Sequence, residues 1–108
     1  MSGKLVRDRI PEIIKNEGKV PIVRILSGDE YLDELDKKLI EEFNEYKTER
    51  DFGKSESTLE ELADMLEVIF AYCDLIGDYT IEDLFAIRND KYIKRGGFKD
   101  KIYLSGNE

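Results

Sequence analysis

The 108-residue sequence contains no histidine, one cysteine and two prolines. The lack of histidine excludes the commonest general base, the commonest transition-metal ligand and the Ser-His and Cys-His nucleophile systems. The single cysteine, Cys73, excludes an internal disulfide, and its apolar neighbours indicate a thiol in the core. Any catalysis must therefore use carboxylates, Lys, Arg, Tyr or a metal ion.

Long apolar runs and linkers are also missing. No segment approaches the roughly 20 apolar residues needed to cross a bilayer, and no signal-type apolar region follows the first four residues. We therefore expect a cytoplasmic protein without membrane contacts. Because no Gly/Ser-rich or Pro-rich linker and no internal repeat divides the chain, residues 1–108 are predicted to form a single domain.

Charge is unevenly distributed along the chain. Lys and Arg number six against three Asp and Glu in residues 1–24, five against nineteen in residues 25–87, and six against two in residues 88–107. The net charge of −8 argues against binding to a DNA or RNA polymer. An acidic centre between basic ends suits a metal ion held next to an anion, although solvated helix faces would give the same asymmetry.

The periodicity predicts a mainly α fold. A short helix is expected around residues 11–16, followed by a helix from Ser27 to about Arg50, a helix from Ser57 to Ile76, and a helix from Ile81 towards Arg95. Ser27 and Ser57 each precede a Glu at capping-box spacing, and Thr80 is the expected cap of the last helix. Residues 21–26 and 101–104 are predicted to be short strands that pair.

Two acidic pairs fall on the apolar sides of the two long helices. Glu42 lies about 50° from the middle of the apolar stripe and Glu45 lies near its edge, whereas Glu41 is about 150° away and is treated as a supporting residue. On the second long helix the predicted apolar face consists of Leu59, Leu62, Leu66, Ile69, Phe70 and Cys73, and Met65, Val68, Tyr72 and Leu75 extend it. Glu61 and Asp64 align with the apolar Val68 rather than with the polar strip of this helix.

Inward carboxylates that converge would repel one another and lose hydration unless a cation compensates. Mg²⁺ fits best, with Mn²⁺ as an alternative, because both prefer carboxylate oxygens, whereas zinc usually uses His or Cys. The predicted ligands and catalytic residues are Glu42, Glu45, Glu61 and Asp64. Each pair alone is better explained as a solvated or salt-bridging surface, for instance Lys38 with Glu42, and only the two pairs together make a metal site an equally good explanation.

These residues carry a family resemblance. Glu41-Glu42-Phe-Asn-Glu45, fifteen residues, and then Glu61-Leu-Ala-Asp64 resemble the signature of the MazG-like, all-α nucleoside triphosphate pyrophosphohydrolase superfamily. The segment Lys91-Tyr-Ile-Lys-Arg95-Gly-Gly-Phe98 is similar to a basic segment of that family. The opening Lys4-Leu-Val-Arg7-Asp-Arg9-Ile-Pro resembles that of its phosphoribosyl-ATP pyrophosphohydrolase-like members.

The resemblance implies an all-α pyrophosphatase-like helical bundle. We expect a homodimer or homotetramer, because a single chain would leave the second apolar face of the helix, from Glu61 to Leu75, uncovered. The resemblance also implies Mg²⁺-dependent hydrolysis of a nucleotide between its α and β phosphates, giving the monophosphate and pyrophosphate, in nucleotide-pool house-cleaning. The substrate-binding residues would be Lys91, Arg95, Arg7, Arg9 and Asn89. Lys91 and Arg95 equally suit the last turn of a helix, and an exposed N-terminal segment is the simpler role of Arg7 and Arg9.

Two other functions remain open on the sequence. A non-enzymatic helical module would use the acidic pairs to set helix register and the second apolar face to bind a partner protein. A nucleotide sensor would bind the same ligand without hydrolysing it. Tyr72 and Phe98 are assigned to core packing rather than to stacking on a nucleotide base.

Overall fold

The computed structural model describes residues 3–108. Its helices are α1 (Ile10–Asn16), α2 (Gly28–Asp51), α3 (Ser55–Ile76) and α4 (Ile81–Arg95). The predicted mainly α class is therefore confirmed. Within residues 3–108 no helix has the length and apolar character that crossing a membrane would require.

The predicted short strands are not formed. Residues 21–26 and 101–104 contain no strand, and side chains such as Ile22, Ile25 and Tyr103 are almost fully exposed. Strand propensity expresses how well a side chain fits a half-buried sheet, so it gives no strand where no sheet receives it. The prediction of paired terminal strands was wrong for this structure.

The chain forms two compact units, whose boundary lies within α3. The first unit ends at Tyr72 and the second is Cys73–Glu108. The first contains α1, α2 and most of α3, and it holds all four predicted metal ligands. The second contains the last turn of α3 and α4.

Helices α2 and α3 form an antiparallel hairpin joined by residues 52–54. The hydroxyl of Tyr72, late in α3, donates a hydrogen bond to Asp36, early in α2. Towards the other end of the hairpin, Glu42 on α2 shares a cluster of carboxylates with Glu61 on α3. Because the connection is short and the two helices run in opposite directions, the acidic pair of α2 lies beside the acidic pair of α3.

The faces buried in the hairpin differ in part from the predicted apolar stripes. On α2 the buried residues are Leu35 and Glu42, so the inward direction of Glu42 is confirmed. On α3 Val68 is buried, whereas Leu62 and Leu66, from the predicted apolar face, are 43% and 41% exposed. The packed side of α3 is thus the one that carries Glu61 and Asp64.

The helix ends follow local signals only in part. Ser27 is the N-cap residue of α2, but its side chain makes no capping hydrogen bond and Glu30 pairs with Arg24, so the predicted capping box is not formed there. Thr80 caps α4 through a reciprocal capping box with Asp83, and Gly96 ends that helix with a positive φ of 78°. Ser57 is not a cap, because α3 already begins at Ser55 and the backbone N–H of Thr58 bonds the carbonyl of Lys54. The capping-box pattern at Ser57 therefore lies inside the first turns of the helix.

Candidate metal centre

The acidic residues of the hairpin form two overlapping groups. In each group, every residue offers a carboxylate oxygen and these oxygens lie within 4.8 Å of one another. The first group is Glu41, Glu42 and Glu45, and the second is Glu42, Glu61 and Asp64. Glu42 belongs to both, so the pairs predicted from the sequence meet around this residue. Whether they hold a metal stays a prediction.

Glu42 is the most unusual member, because it is a carboxylate with only 5% of its surface exposed. Its Oε1 lies 3.3 Å from Nζ of Lys38, which is the salt bridge that the simpler sequence interpretation predicted. Its Oε2 is buried without a hydrogen-bond partner, and so is Oε2 of Glu61. Buried polar oxygens without a partner are costly, so these two oxygens fit a bound cation.

Burial and crowding raise the pKa of two of the carboxylates, Glu45 and Glu61. Burial raises the pKa of Glu61 to about 8, and the nearby Glu42 and Glu45 add to this effect. Desolvation also raises the pKa of Glu45; Glu42 and Glu41 raise it further, against a lowering by the hydrogen bond with Glu61. Like charges close together in a poorly solvated place disfavour ionisation, and a divalent cation would reverse this.

Glu41 belongs to the acidic cluster, which its angle on the helical projection did not indicate. Although that projection pointed it away from the core, its carboxylate groups with those of Glu42 and Glu45. Its Oε1 lies 3.9 Å from Nζ of Lys4, and its Oε2 lies 3.6 Å from Nζ of Lys38. A long side chain on the flank of a helix can reach round to a neighbouring turn, which an angle measured at the backbone does not express.

The N-terminal segment supplies a further cation. Arg7 donates from Nη2 to Oδ1 of Asp64 over 2.7 Å, across 57 positions of sequence. Arg9, the other arginine predicted to bind phosphate, is exposed and occupies the N-cap position of α1. The structure therefore brings Arg7 to the acidic cluster.

An open cleft of about 670 Å³ lies next to the cluster in the first unit. Glu45 and Glu61 line it together with Asn44, Thr48 and Lys37. Acidic residues of the cluster thus border a space large enough for a small ligand, with an Asn, a Thr and a Lys in the same lining.

The remaining predicted substrate residues lie on α4 in the second unit. Asn89, Lys91 and Arg95 are all exposed there. Phe98 is 97% exposed, so its expected role in core packing was wrong, whereas Tyr72 is partly buried and hydrogen-bonded to Asp36. The predicted contacts of the α4 residues with phosphate stay predictions.

The donor set determines which metal the cluster suits. It consists of carboxylates without His or Cys, which is the chemistry of Mg²⁺ and Mn²⁺ rather than of zinc. The five clustered carboxylates are those of Glu41, Glu42, Glu45, Glu61 and Asp64. Among residues 3–108, three cationic side chains lie within 4.0 Å of at least one of them, namely Lys4, Arg7 and Lys38. The cluster therefore retains a negative excess that a divalent ion would offset.

Comparison with known proteins gives one partial match. No family model and no solved structure matches the chain. An uncharacterized protein of Mycolicibacterium smegmatis is 56% identical over 43 residues, which are 40% of this chain and 44% of that protein. The chain thus aligns with less than half the length of that relative.

Proposed function

We propose that the chain is a Mg²⁺-dependent nucleotide pyrophosphohydrolase of the MazG-like type, with Mn²⁺ as an alternative metal. The observation that carries the proposal is the buried carboxylate of Glu42, whose Oε2 has no partner at the point where acidic residues of α2 and α3 meet. The sequence motifs around these residues supply the reaction, a hydrolysis between the α and β phosphates of a nucleotide.

Four residues would hold the metal: Glu42, Glu45, Glu61 and Asp64. When bound, the metal would neutralise phosphate charge and lower the pKa of a water molecule that attacks phosphorus. One of the carboxylates accepts the proton of that water. The open cleft beside Glu45 and Glu61 gives the phosphates access to these oxygens.

Basic residues would bind the phosphate oxygens, with Arg in bidentate contact and Lys as a point charge. On α4 these are Lys91 and Arg95, with Asn89 as a neutral donor. Arg7 and Arg9 have the same role in the N-terminal segment, and the contact of Arg7 with Asp64 supports its inclusion.

The active form is proposed to be a homodimer or homotetramer of a pyrophosphatase-like helical bundle. Exposed apolar residues of α3, including Leu62 and Leu66, support this assembly. Apolar side chains repeated along one helix face lose contact with water when a second copy covers them. The substrate is a free nucleotide, which suits house-cleaning of the nucleotide pool in the cytoplasm.

The decisive experiment measures pyrophosphate release from a panel of nucleoside triphosphates and phosphoribosyl-ATP, with and without Mg²⁺. We expect release that requires the metal. Glu42→Gln and Asp64→Asn should fold and lose at least about 100-fold in kcat/KM, since even residues behind a metal ligand contribute about 10- to 100-fold. Glu60→Gln is the matched control, because Glu60 is an exposed neighbour of Glu61 on the same helix.

Two results would contradict the proposal. One is the absence of pyrophosphate release from every substrate together with no heat of Mg²⁺ binding. The other is full turnover by Glu42→Gln or Asp64→Asn, which would remove these residues from the reaction.

A non-enzymatic module that binds a partner protein is a second candidate, favoured by the exposed apolar residues of α3. In such a module, Mg²⁺ changes neither the melting temperature nor the oligomeric state, whereas a metal enzyme gains stability when Mg²⁺ binds. Nucleotide binding without hydrolysis would instead identify a sensor.

A further inference from the structure

Arg7 occupies a carboxylate that the proposed metal also requires. Its Nη2 lies 2.7 Å from Oδ1 of Asp64, and Asp64 belongs to the group with Glu42 and Glu61. The guanidinium charge repels an incoming divalent cation and already neutralises the carboxylate that would attract it, so metal binding at Asp64 competes with this salt bridge.

The salt bridge is built so that it can open. The side chains of Arg7 and Asp64 are 54% and 37% exposed, and solvent-exposed ion pairs hold their partners weakly. In contrast, Lys38 is 19% exposed where it contacts Glu42, which itself is almost fully buried. Of these two cation contacts, the one made by Arg7 is the more accessible to exchange.

Arg7 remains close to the cluster after such an exchange, because its neighbours Leu5, Val6 and Ile10 are partly buried and its backbone is part of a hydrogen-bonded turn. The carbonyl of Arg7 accepts a hydrogen bond from the backbone N–H of Ile10 at the start of α1, and the carbonyl of Arg9 accepts one from Ile13. A guanidinium group released from Asp64 therefore stays near the site and can bind an incoming phosphate through two parallel hydrogen bonds.

We propose that Arg7 is an exchangeable counter-cation: it holds Asp64 until the metal takes that carboxylate, and it then binds a phosphate of the substrate. This inference rests on the proposed function, because it assumes the metal site. It also specifies an order of binding: the metal binds first and releases Arg7 from Asp64, and Arg7 then binds the phosphate. Arg7 is a positioning residue before the metal binds and a substrate ligand afterwards.

Isothermal titration of the 108-residue chain with Mg²⁺ alone tests the first half of the proposal. Arg7→Ala should bind Mg²⁺ about two- to fivefold more tightly than the wild type, since the competitor for Asp64 is gone. Arg24→Ala is the matched control. Arg24 forms an exposed salt bridge with Glu30, 2.6 Å long, and neither residue belongs to the acidic groups. It should leave Mg²⁺ affinity unchanged.

Titration with inorganic pyrophosphate at saturating Mg²⁺ tests the second half. Arg7→Ala should weaken pyrophosphate binding about tenfold, and Arg7→Lys should weaken it less, because Lys keeps the charge but loses the bidentate contact. Tighter binding of Mg²⁺ together with weaker binding of pyrophosphate by Arg7→Ala distinguishes exchange from a purely structural role. Loss of a structural role would weaken the binding of both ligands or of neither. Circular dichroism melts of each variant report whether the fold is kept.

Unchanged or weaker Mg²⁺ binding by Arg7→Ala overturns the inference, as does unchanged pyrophosphate binding. If Asp64→Asn abolishes Mg²⁺ binding while Arg7→Ala leaves it unchanged, the proposed function stands and the role of Arg7 falls. If the wild type binds no Mg²⁺, both fall together.

Discussion

Glu61 keeps its proton to an unusually high pH, since burial and two neighbouring carboxylates raise its pKa to about 8. In the unfolded chain the same group titrates near its ordinary value of 4.5. Between these values the native state binds more protons than the unfolded state. Without metal, the free energy of unfolding should therefore fall as pH rises from about 5 to about 8 and then level off.

Thermal unfolding in a chelator between pH 5 and pH 9 measures this effect. Glu61→Gln should flatten the decline, whereas Glu67→Gln, a change at an exposed position of the same helix, should preserve it. Mg²⁺ should also release protons when it binds below about pH 8, because ligands must be deprotonated. Calorimetry in buffers of different ionisation heat detects that release, and its absence at pH 7 would contradict the assignment of Glu61 as a ligand.

Element by element, the hairpin of α2 and α3 is what holds the acidic pairs in register. Away from those pairs, the hydroxyl of Tyr72 bonds Asp36 and links the two helices. Burial and this bond raise the pKa of Tyr72 to about 12. The contribution of this bond to the free energy of unfolding is therefore fully present below pH 10 and declines as the pH rises from 10 towards 12.

Tyr72→Phe should lower the free energy of unfolding by about 1 kcal/mol, because it deletes one hydrogen bond while keeping the ring. Urea unfolding measures the change. Tyr103→Phe, at a tyrosine whose side chain is almost fully exposed, should have no effect and serves as the control. Equal stability of Tyr72→Phe and the wild type would show that the link between α2 and α3 contributes nothing.

The signals that end helices worked where they were purely local. Thr80 was predicted to cap α4 and the helix to end near Arg95, and both are confirmed because a cap and a glycine with positive φ act within one turn. The same pattern at Ser57 failed, since α3 extends two residues further towards its N-terminus. A capping-box sequence marks one residue at which a helix can begin. Residues outside the motif can favour a beginning at a neighbouring residue.

For the whole molecule, the open question is what covers the apolar residues of α3. Light scattering should give a mass of twice or four times the 12.6 kDa of one chain. Leu62→Glu with Leu66→Glu should yield a monomer, because charges at these positions would have to be buried without partners. Glu67→Lys is the control on the exposed side of the same helix. A monomeric wild type would contradict the proposed assembly.

By itself, the sequence determined the helical class, the approximate limits of the long helices and the carboxylate chemistry of the candidate site. Each of these depends on local properties: periodicity, caps, and the absence of histidine from the whole chain. It also determined that Glu42 and Glu45, and likewise Glu61 and Asp64, are neighbours, since residues three apart on a helix share a face.

Only the tertiary structure decided how those pairs meet. Helix α3 packs on the side of Glu61 and Val68 rather than on the side of Leu62 and Leu66. Oε2 of Glu42 is buried there without a hydrogen-bond partner. The tertiary structure also joined Arg7 to Asp64 across 57 positions. Such contacts depend on which faces of the helices pack together. Because α3 has apolar residues on several sides, its periodicity limits the faces that can pack against α2 but does not select one of them.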